Sequence, residues 1–385
     1  MALGCPVHLG VVLSLTLVAT APGQVQFADH QADRICVSNA DFYEAAFRKS
    51  DGRILHLVDK TTNQEVSCGN VFGPWVLRFS DGTWLGGNAF SPTHPSRRFS
   101  YAWDAQSSWL RLTYAATGTH ACTVTISVQP SAGPEFDTVL SITNQSDLDV
   151  ELIAYPVHLA FRRDRIKGVY LPYIEGVRLL PGFFERGKRF SSRYPGQMFT
   201  DFAYTQLTAG SFAVYGVQDP RAPLIPADWK ILPHEDFAGG LNKYHRDFTV
   251  AIGPGQQWHA PTTVFSIGTT LTAAMTNYWT RNGHDAMPTL ADKLGAERLA
   301  RLSQAVLIKR DFVQGSSWTF ASFQEFLPTL PARNLLHLVG FGAGGFDRNY
   351  PDYLPPSPAL GTLAELQALS ASARSAGPLV MPYTN

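Results

Sequence analysis

Short stretches of alternating apolar and polar residues, separated by turn residues, dominate the chain from about Asp33 to Ile267. Examples are RICVSN, SWLRLTYAA, ACTVTISVQ and DTVLSITN, and segments such as SDGT, NQSD and GPGQ supply the Gly, Asn and Asp of tight turns. Alternation with a period of two is typical of strands that bury one face. The protein is therefore predicted to be mainly β, with a large antiparallel β-sandwich over residues 24–268.

The pattern changes after Ile267. The segments TLTAAMTNYWTRNG and PTLADKLGAERLARLSQAVLIKRD place apolar residues three and four positions apart, which is the spacing of an amphipathic helix. Residues 269–330 are therefore predicted to form a helical linker.

A third pattern occupies residues 331–385. NLLHLVGF is a continuous apolar run, typical of a strand that is buried on both faces of a parallel sheet. TLAELQALSASARSAG has the character of a helix and PLVMPY that of a second buried strand, so together they predict one βαβ unit. Because two parallel strands do not make a stable sheet, we expect this unit to be the first of an incomplete (β/α)8 barrel.

The first residues contain an apolar run from about Leu9 to Ala19, followed by the small residues Ala21 and Gly23. The run is too short to cross a bilayer, and it is typical of a secretory signal peptide over residues 1–23. It lacks the Lys or Arg that usually precedes such a run. We expect a secreted or periplasmic protein without a membrane span.

Charge and cysteine content exclude several functions. The 31 basic residues balance the 31 acidic ones, and no basic stripe is present, so nucleic acid is not a predicted partner. Cys36, Cys68 and Cys122 favour buried thiols, although a single disulfide remains open. The histidines lack metal-site spacing, and the GFGAGG turn is followed by prolines and not by a helix, so no metal and no cofactor are predicted.

The loop GFDRNYPDYLPP, which follows the first strand of the βαβ unit, has the side chains of a sugar site. Asp347 and Asp352 can accept hydrogen bonds from hydroxyls, Arg348 can donate them, and Tyr350 can lie against the apolar face of a pyranose. We predict that these four residues bind substrate. The alternative, in which Asp347 caps a turn and pairs with Arg348, remains open.

Glycoside hydrolysis needs two carboxyls on opposite sides of the scissile bond, roughly 5 to 10 Å apart. Asp347 and Asp352 lie on one loop, so neither is predicted to be the nucleophile or the acid.

Several segments resemble a known architecture. DGRILHLVDKTTNQEV is similar to the opening hairpin of galactose-mutarotase-like sandwiches. VGFGAGGFDRNYPDYLPP followed by PLVMPYTN resembles the first strand and loop, then the second strand, of barrels in the neighbourhood of α-galactosidases and endo-α-N-acetylgalactosaminidases. The chain thus resembles a bacterial family of glycoside-hydrolase-like proteins. The resemblance implies that Asp347 and Asp352 contact substrate hydroxyls and that the catalytic carboxylates are to be expected beyond Asn385.

We therefore expect a carbohydrate-active protein that acts on or binds O-glycosides, of α-linked galacto type, with hydrolase activity only if the full barrel is present. One alternative is a non-catalytic carbohydrate-binding or structural sandwich. Its tryptophans, among them Trp84, Trp103, Trp109 and Trp229, either bind sugar or pack in the core, and the sequence favours packing.

A second alternative is an aldose epimerase, which needs a Glu base and a His acid at the sugar ring. The candidates are His158, His234 with Glu235, and His245. Their spacing in the sequence does not indicate whether they meet, and it does not indicate an oligomeric state.

Overall fold

The computed structural model describes residues 24–234, 240–312, 318–331, 334–345, 352–375 and 379–383. The predicted signal peptide, residues 1–23, lies outside the described residues. The chain divides into two compact units, Met1–Asp285 and Ala286–Asn385. No helix in the described ranges has the length and hydropathy needed to span a bilayer.

The described part of unit 1 consists mainly of strands. In chain order they are β1 (Val25–Ala28), β2 (Arg34–Asn39), β3 (Tyr43–Arg48), β4 (Ile54–Asp59), β5 (Gln64–Ser67), β6 (Val76–Phe79), β7 (Trp84–Gly86), β8 (Arg97–Asp104), β9 (Trp109–Ala116), β10 (Cys122–Pro130), β11 (Glu135–Asn144), β12 (Val150–Ala154), β13 (Leu159–Arg162), β14 (Ile166–Leu171), β15 (Val177–Leu179), β16 (Phe190–Tyr194), β17 (Phe202–Leu207), β18 (Ser211–Val217), β19 (Ala227–His234), β20 (Leu241–Ile252), β21 (Gln257–His259) and β22 (Thr262–Ile267). Two helices accompany them, α1 (Pro181–Glu185) and α2 (Leu271–Arg281).

These strands form three antiparallel sheets. A five-stranded sheet has the order β1-β2-β3-β4-β5. A ten-stranded sheet has the order β15-β14-β17-β18-β22-β11-β10-β9-β8, with β21 also on β11. A seven-stranded sheet has the order β16-β19-β20-β12-β6-β7, with β13 also on β20. The prediction of a mainly β, antiparallel architecture is confirmed.

The two larger sheets pack on each other through their buried faces. The ring centroids of Phe161 on β13 and Phe212 on β18 are 5.1 Å apart. The hydroxyls of Thr205 on β17 and Tyr244 on β20 are within 2.5 Å. Strand β10 shows why the sequence folds in this way, because every second side chain along it is buried. Unit 1 is therefore a β-sandwich.

A charged network lies inside this core. Arg246 and Asp201 are fully buried and form two hydrogen bonds, one of them from Arg246 Nε to Asp201 Oδ1 at 3.0 Å. Trp229 Nε1 donates to the same carboxylate oxygen at 2.8 Å, and Arg246 Nη1 donates to Thr263 Oγ1 at 2.9 Å. Because a buried charge must be paired and hydrogen-bonded, this network fixes the position of β20 in the sandwich.

Among the described residues no disulfide joins Cys36, Cys68 and Cys122, and the prediction of buried thiols is confirmed for Cys36 and Cys122. Cys36 and Cys122 are buried, and Cys68 is partly exposed. Burial raises the pKa of the Cys36 thiol to about 11 and that of Cys122 to about 12.

Unit 2 contains a parallel sheet with the order β23-β24-β25, formed by β23 (Val306–Asp311), β24 (Asn334–Val339) and β25 (Leu379–Pro382). Its helices are α3 (Leu290–Leu294), α4 (Ala296–Ser303), α5 (Phe320–Phe326) and α6 (Leu363–Ser375). The βαβ unit predicted from β24, α6 and β25 is confirmed, since β24 and β25 pair in parallel.

Strand β23 corrects the prediction for the linker. The helical spacing predicts a helix that includes AVLIKRD. In the structure, Val306–Asp311 is instead a strand that pairs with all six residues of β24. The apolar residues Val306, Leu307 and Ile308 are contiguous, and pairing with a neighbouring strand outweighs the periodicity continued from α4.

Phenylalanines of α5 and apolar residues of α6 cover one face of this parallel sheet, packing with Leu336 and Leu338 of β24. Leu307 and Met381 are exposed. The start of a (β/α)8 barrel remains a prediction, since three parallel strands define a sheet and not a closed barrel.

Candidate functional site

The predicted sugar-binding loop is only partly described. Asp347, Arg348 and Tyr350 lie outside the described residues, and the described member, Asp352, is exposed to solvent. The structure therefore does not test whether these four side chains meet.

The two ends of this loop are joined at the carboxyl end of β24. Ala343 N donates to Pro355 O at 3.0 Å, and Ser357 N donates to Phe341 O at 2.9 Å. Gly342 lies close to the returning strand of the loop, because a Cβ at this position would be 3.1 Å from the carbonyl oxygen of Tyr353. The loop therefore leaves the sheet and returns at one place, which is where ligands bind to parallel sheets.

A groove of about 750 Å³ opens beside the loop. The loop contributes Phe341, Tyr353 and Leu354, and α4 and α6 contribute Arg298, Arg301 and Arg374. The rest of the described lining is Leu338, Leu366, Ser370, Leu379, Val380 and Pro382, so no carboxylate lines this part of the groove. Apolar surface and guanidinium donors can bind a ligand, but they do not provide the two carboxyls of glycoside hydrolysis.

A second group of polar side chains lies in unit 1. We call Phe72, His158, His234, Lys243 and His245 the histidine cluster. The rings of His158 and His245 are 4.7 Å apart between centroids, edge to face, and Phe72 lies 5.0 Å from His158 and 5.8 Å from His234. Lys243 Nζ is 5.6 Å from the Phe72 ring centroid.

Strand alternation explains the position of the cluster. On β20, Tyr244 and Phe248 belong to the hydrophobic core, so Lys243, His245 and Asp247 lie on the opposite face of the seven-stranded sheet. The neighbouring strand β19 places Lys230 opposite His245 in the antiparallel register, and the side chain of Lys230 donates to Asp247 Oδ2 at 2.5 Å. His158 joins from the residue before β13, with a φ of 57° that is uncommon for a residue other than glycine.

The two inner histidines are uncharged at neutral pH. Burial, assisted by the positive charge of Lys243, lowers the pKa of His158 to about 4. Burial, assisted by His158, Lys243 and Lys230, lowers the pKa of His245 to about 3. A neutral imidazole has one nitrogen that donates a hydrogen bond and one that accepts a hydrogen bond.

In each of His158 and His245, one ring nitrogen has no hydrogen-bond partner within the described part of the chain. These two atoms, His158 Nδ1 and His245 Nε2, are buried. Asp247 Oδ1 is also buried without a hydrogen-bond partner among the described residues. Burial raises the pKa of this carboxyl, and the hydrogen bond from Lys230 offsets part of the increase. Buried polar atoms are rarely left unpaired, and such exceptions occur at ligand sites.

His158, His234 and His245 were candidates from the sequence for the acid of an epimerase, and the structure places all three in one cluster. Glu235, the base suggested beside His234, lies outside the described residues. Sequence reasoning did not identify Phe72 or Lys243 as members of the cluster. The buried Tyr244 between Lys243 and His245 on β20 was a signal that could have placed Lys243 and His245 on one face of the sheet.

The tryptophans divide between packing and exposure. Trp229 is buried, as the packing interpretation predicts, whereas Trp84 is 57% exposed, and that interpretation is wrong for it. Trp103 and Trp109 are half-buried.

No family model and no curated protein matches this chain. Among solved structures, it is similar to the α-N-acetylgalactosaminidase NagBb from Bifidobacterium bifidum in complex with GalNAc, at 14% identity and a TM-score of 0.67, over 90% of this chain and 58% of that one. The same enzyme in complex with Gal-NHAc-DNJ matches at 14% identity and a TM-score of 0.66, over 91% of this chain and 58% of that one.

A galactose-mutarotase-related enzyme from Lactobacillus acidophilus, at 10% identity, covers 62% of this chain and 98% of that one, but its TM-score of 0.42 is too low to establish a shared fold. The similarity to NagBb shows that this chain has the fold of the matched part of a glycoside hydrolase. The chain spans 58% of that enzyme's length.

Proposed function

We propose that this is a carbohydrate-active, glycoside-hydrolase-like protein that binds O-glycosides with an α-linked galacto-type sugar. The observation that carries the proposal is the fold shared with an α-N-acetylgalactosaminidase over 90% of the chain. That extent includes residues of both units, so the likeness is not confined to the sandwich. The predicted signal peptide supports export to the periplasm or the cell exterior, where glycans are accessible.

In this proposal the loop after β24 recognises the sugar. Asp347 and Asp352 accept hydrogen bonds from hydroxyls, Arg348 donates to them, and Tyr350 covers the apolar face of the ring. The joined ends of the loop support this role, because the hydrogen bonds at its base hold it at the carboxyl end of β24, where ligands bind to parallel sheets.

We propose binding and not bond cleavage for the described part of the chain. The described lining of the groove provides arginines and apolar side chains without the carboxyl pair that hydrolysis requires.

The test is calorimetric titration of the full chain with p-nitrophenyl α-N-acetylgalactosaminide and, as the reference sugar, the α-glucoside. We expect binding of the galacto-type ligand, and Asp347→Asn or Asp352→Asn should weaken it about tenfold, as expected when hydrogen bonds to a charged acceptor are lost. Asp219→Asn is the matched control, since that carboxylate is exposed and pairs with Arg221 within its own turn. Equal affinity of wild type and both loop variants would contradict the assignment.

The histidine cluster favours a second candidate, an aldose epimerase. His158 Nδ1, His245 Nε2 and Asp247 Oδ1 are buried and have no hydrogen-bond partner among the described residues, so these atoms are available to contact a sugar, and imidazole and carboxylate are the group types that this reaction uses. Polarimetry on freshly dissolved α-galactose tests this candidate: His245→Gln should abolish any acceleration, and His30→Gln, at an exposed position, should not. No acceleration by the wild-type protein removes it.

A further inference from the structure

A groove of about 410 Å³ lies on unit 1, at strands β8, β9 and β10. We call it the tryptophan groove and define it by Trp103, Asp104, Trp109, Arg111 and Ser127. These residues are at the end of the ten-stranded sheet, where β8 is the last strand in the order.

The antiparallel register builds the floor of the groove. Arg111 on β9 lies opposite Ala102 on β8 and Ser127 on β10, so the three form one row across the sheet. Leu110 and Leu112 belong to the core, which places Trp109 and Arg111 together on the outer face.

The rim of the groove is held by its own hydrogen bonds. In the β8–β9 turn, Gln106 N donates to Asp104 Oδ1 at 2.9 Å, and Ser107 Oγ donates to Asp104 Oδ2 at 2.6 Å. Ser108 has a φ of 55°, a conformation that non-glycine residues adopt rarely, directly before Trp109. The backbone of Trp109 therefore follows directly from a hydrogen-bonded turn.

Stacking supports the groove from the other face of the sheet. The rings of Trp103 and Phe27 are 4.7 Å apart between centroids and lie within 3° of parallel. Both rings also pack against the main core of unit 1. Strand β8 is thereby held in place even though it is at the edge of the sheet.

The polar groups of the groove are complementary to a neutral ligand. Arg111 is exposed, and within the described part of the chain its guanidinium makes no hydrogen bond. One guanidinium and one carboxylate line the groove, so their charges balance, and a polyanion such as nucleic acid finds no excess of positive charge. Arginine donors, a carboxylate acceptor and serine hydroxyls match the alternating donors and acceptors of sugar hydroxyls.

We propose that the tryptophan groove binds a neutral oligosaccharide, as a glycan contact separate from the loop in unit 2. The Trp109 indole offers an apolar surface to the CH face of a pyranose, Arg111 donates to its hydroxyls, and Asp104 and Ser127 accept from them. The choice of a carbohydrate rests on the proposed function, whereas the geometry of the groove does not depend on it.

The test is affinity electrophoresis and calorimetry of the full chain with neutral galacto-oligosaccharides, and with polygalacturonate as the anionic reference. Trp109→Ala and Arg111→Ala should each weaken binding of the neutral ligand about tenfold, in line with the loss of one central contact at a binding site. Arg111 is exposed, so Arg111→Ala keeps the test valid if Trp109→Ala disturbs folding. Trp84→Ala is the matched control, because Trp84 is an exposed tryptophan on β7 of a different sheet.

The outcomes separate this site from the loop. Oligosaccharide binding that falls in Trp109→Ala and Arg111→Ala but persists in Asp347→Asn supports the groove, whatever the fate of the loop. Oligosaccharide binding that persists in Trp109→Ala and Arg111→Ala, or that is absent from the wild type, overturns the groove. Stronger binding of polygalacturonate than of the neutral ligand also overturns it, since the site would then select charge. The loop is judged independently, by the titration with the N-acetylgalactosaminide.

Discussion

Arg246 is a fully buried, charged side chain in the core of unit 1. Asp201 is its charged partner. We expect Arg246→Leu to reduce the free energy of unfolding by about 3 to 5 kcal/mol, because it leaves the Asp201 carboxylate buried without a counter-charge. Urea denaturation measures the change.

The matched control for this prediction is Arg78→Leu. Arg78 forms an ion pair with Glu151 at 3.1 Å, but both side chains are more than 40% exposed. Exposed pairs contribute only about 0 to 1 kcal/mol, so this variant should remain close to the wild type. An equal decrease in the free energy of unfolding in the two variants would show that burial of the Arg246–Asp201 pair does not determine its contribution to stability.

The inner histidines predict a pH dependence of stability. In the unfolded chain His158 and His245 take up protons below their ordinary pKa of 6.5, whereas in the folded chain they do so only at about 4 and about 3. Protons therefore favour the unfolded chain in this window, and stability should fall as the pH drops from about 6.5 to about 4.

Replacing both histidines should flatten this decline. We expect urea midpoints of the double variant His158→Gln, His245→Gln to change less between about pH 7 and about pH 4.5 than those of the wild type. The variant His30→Gln serves as the control, since His30 is exposed. A double variant with the slope of the wild type would show that the two rings are not held uncharged by burial.

At the scale of single elements, the same substitution in two Asp-Gly turns is expected to cost different amounts of stability. Gly52 and Gly82 have φ values of 68° and 83°, and both follow an aspartate in a strand-connecting turn. A Cβ at Gly52 would lie 2.3 Å from Tyr114 Oη and 2.7 Å from the Phe99 ring, whereas a Cβ at Gly82 meets no atom within 4 Å.

We therefore expect Gly52→Ala to cost about 3 kcal/mol or more, from overpacking added to backbone strain. Gly82→Ala should cost only about 1 kcal/mol, from backbone strain alone. Thermal unfolding compares the two variants. Similar melting temperatures would show that the turn between β3 and β4 can move away from the core.

Strand β9 shows how far the sequence predicts the elements. The alternation in SWLRLTYAA predicts the strand, and the same alternation already places Trp109 and Arg111 on one face, opposite Leu110 and Leu112. The packing interpretation of Trp109 overlooked this signal. By contrast, the meeting of His158 with His245 depends on strand register and on a loop, and neither leaves a local pattern.

At the scale of the whole molecule, the two units differ in how completely they bury their apolar residues. Unit 1 closes a large core between its sheets, while the parallel sheet of unit 2 has exposed apolar residues, with Leu307 at 59%. We expect residues 24–285, produced alone, to unfold in one cooperative transition and to retain oligosaccharide binding at the tryptophan groove.

Residues 286–385, produced alone, should bind a hydrophobic dye and aggregate, because a parallel sheet needs both faces covered. Calorimetry and light scattering on the two fragments check these expectations. A sandwich fragment that melts without a cooperative transition would contradict the division into units.

The buried thiols of Cys36 and Cys122 make unfolding of the sandwich measurable without introducing a cysteine by mutation. Alkylating reagents attack the thiolate, and neither residue forms one readily near neutral pH while it stays buried. Cys36 belongs to the five-stranded sheet and Cys122 to the ten-stranded sheet, so their separate alkylation rates report how often each sheet opens. The chain thus contains two buried cysteines whose alkylation rates report local opening, and the half-buried Cys68 is expected to react faster than both.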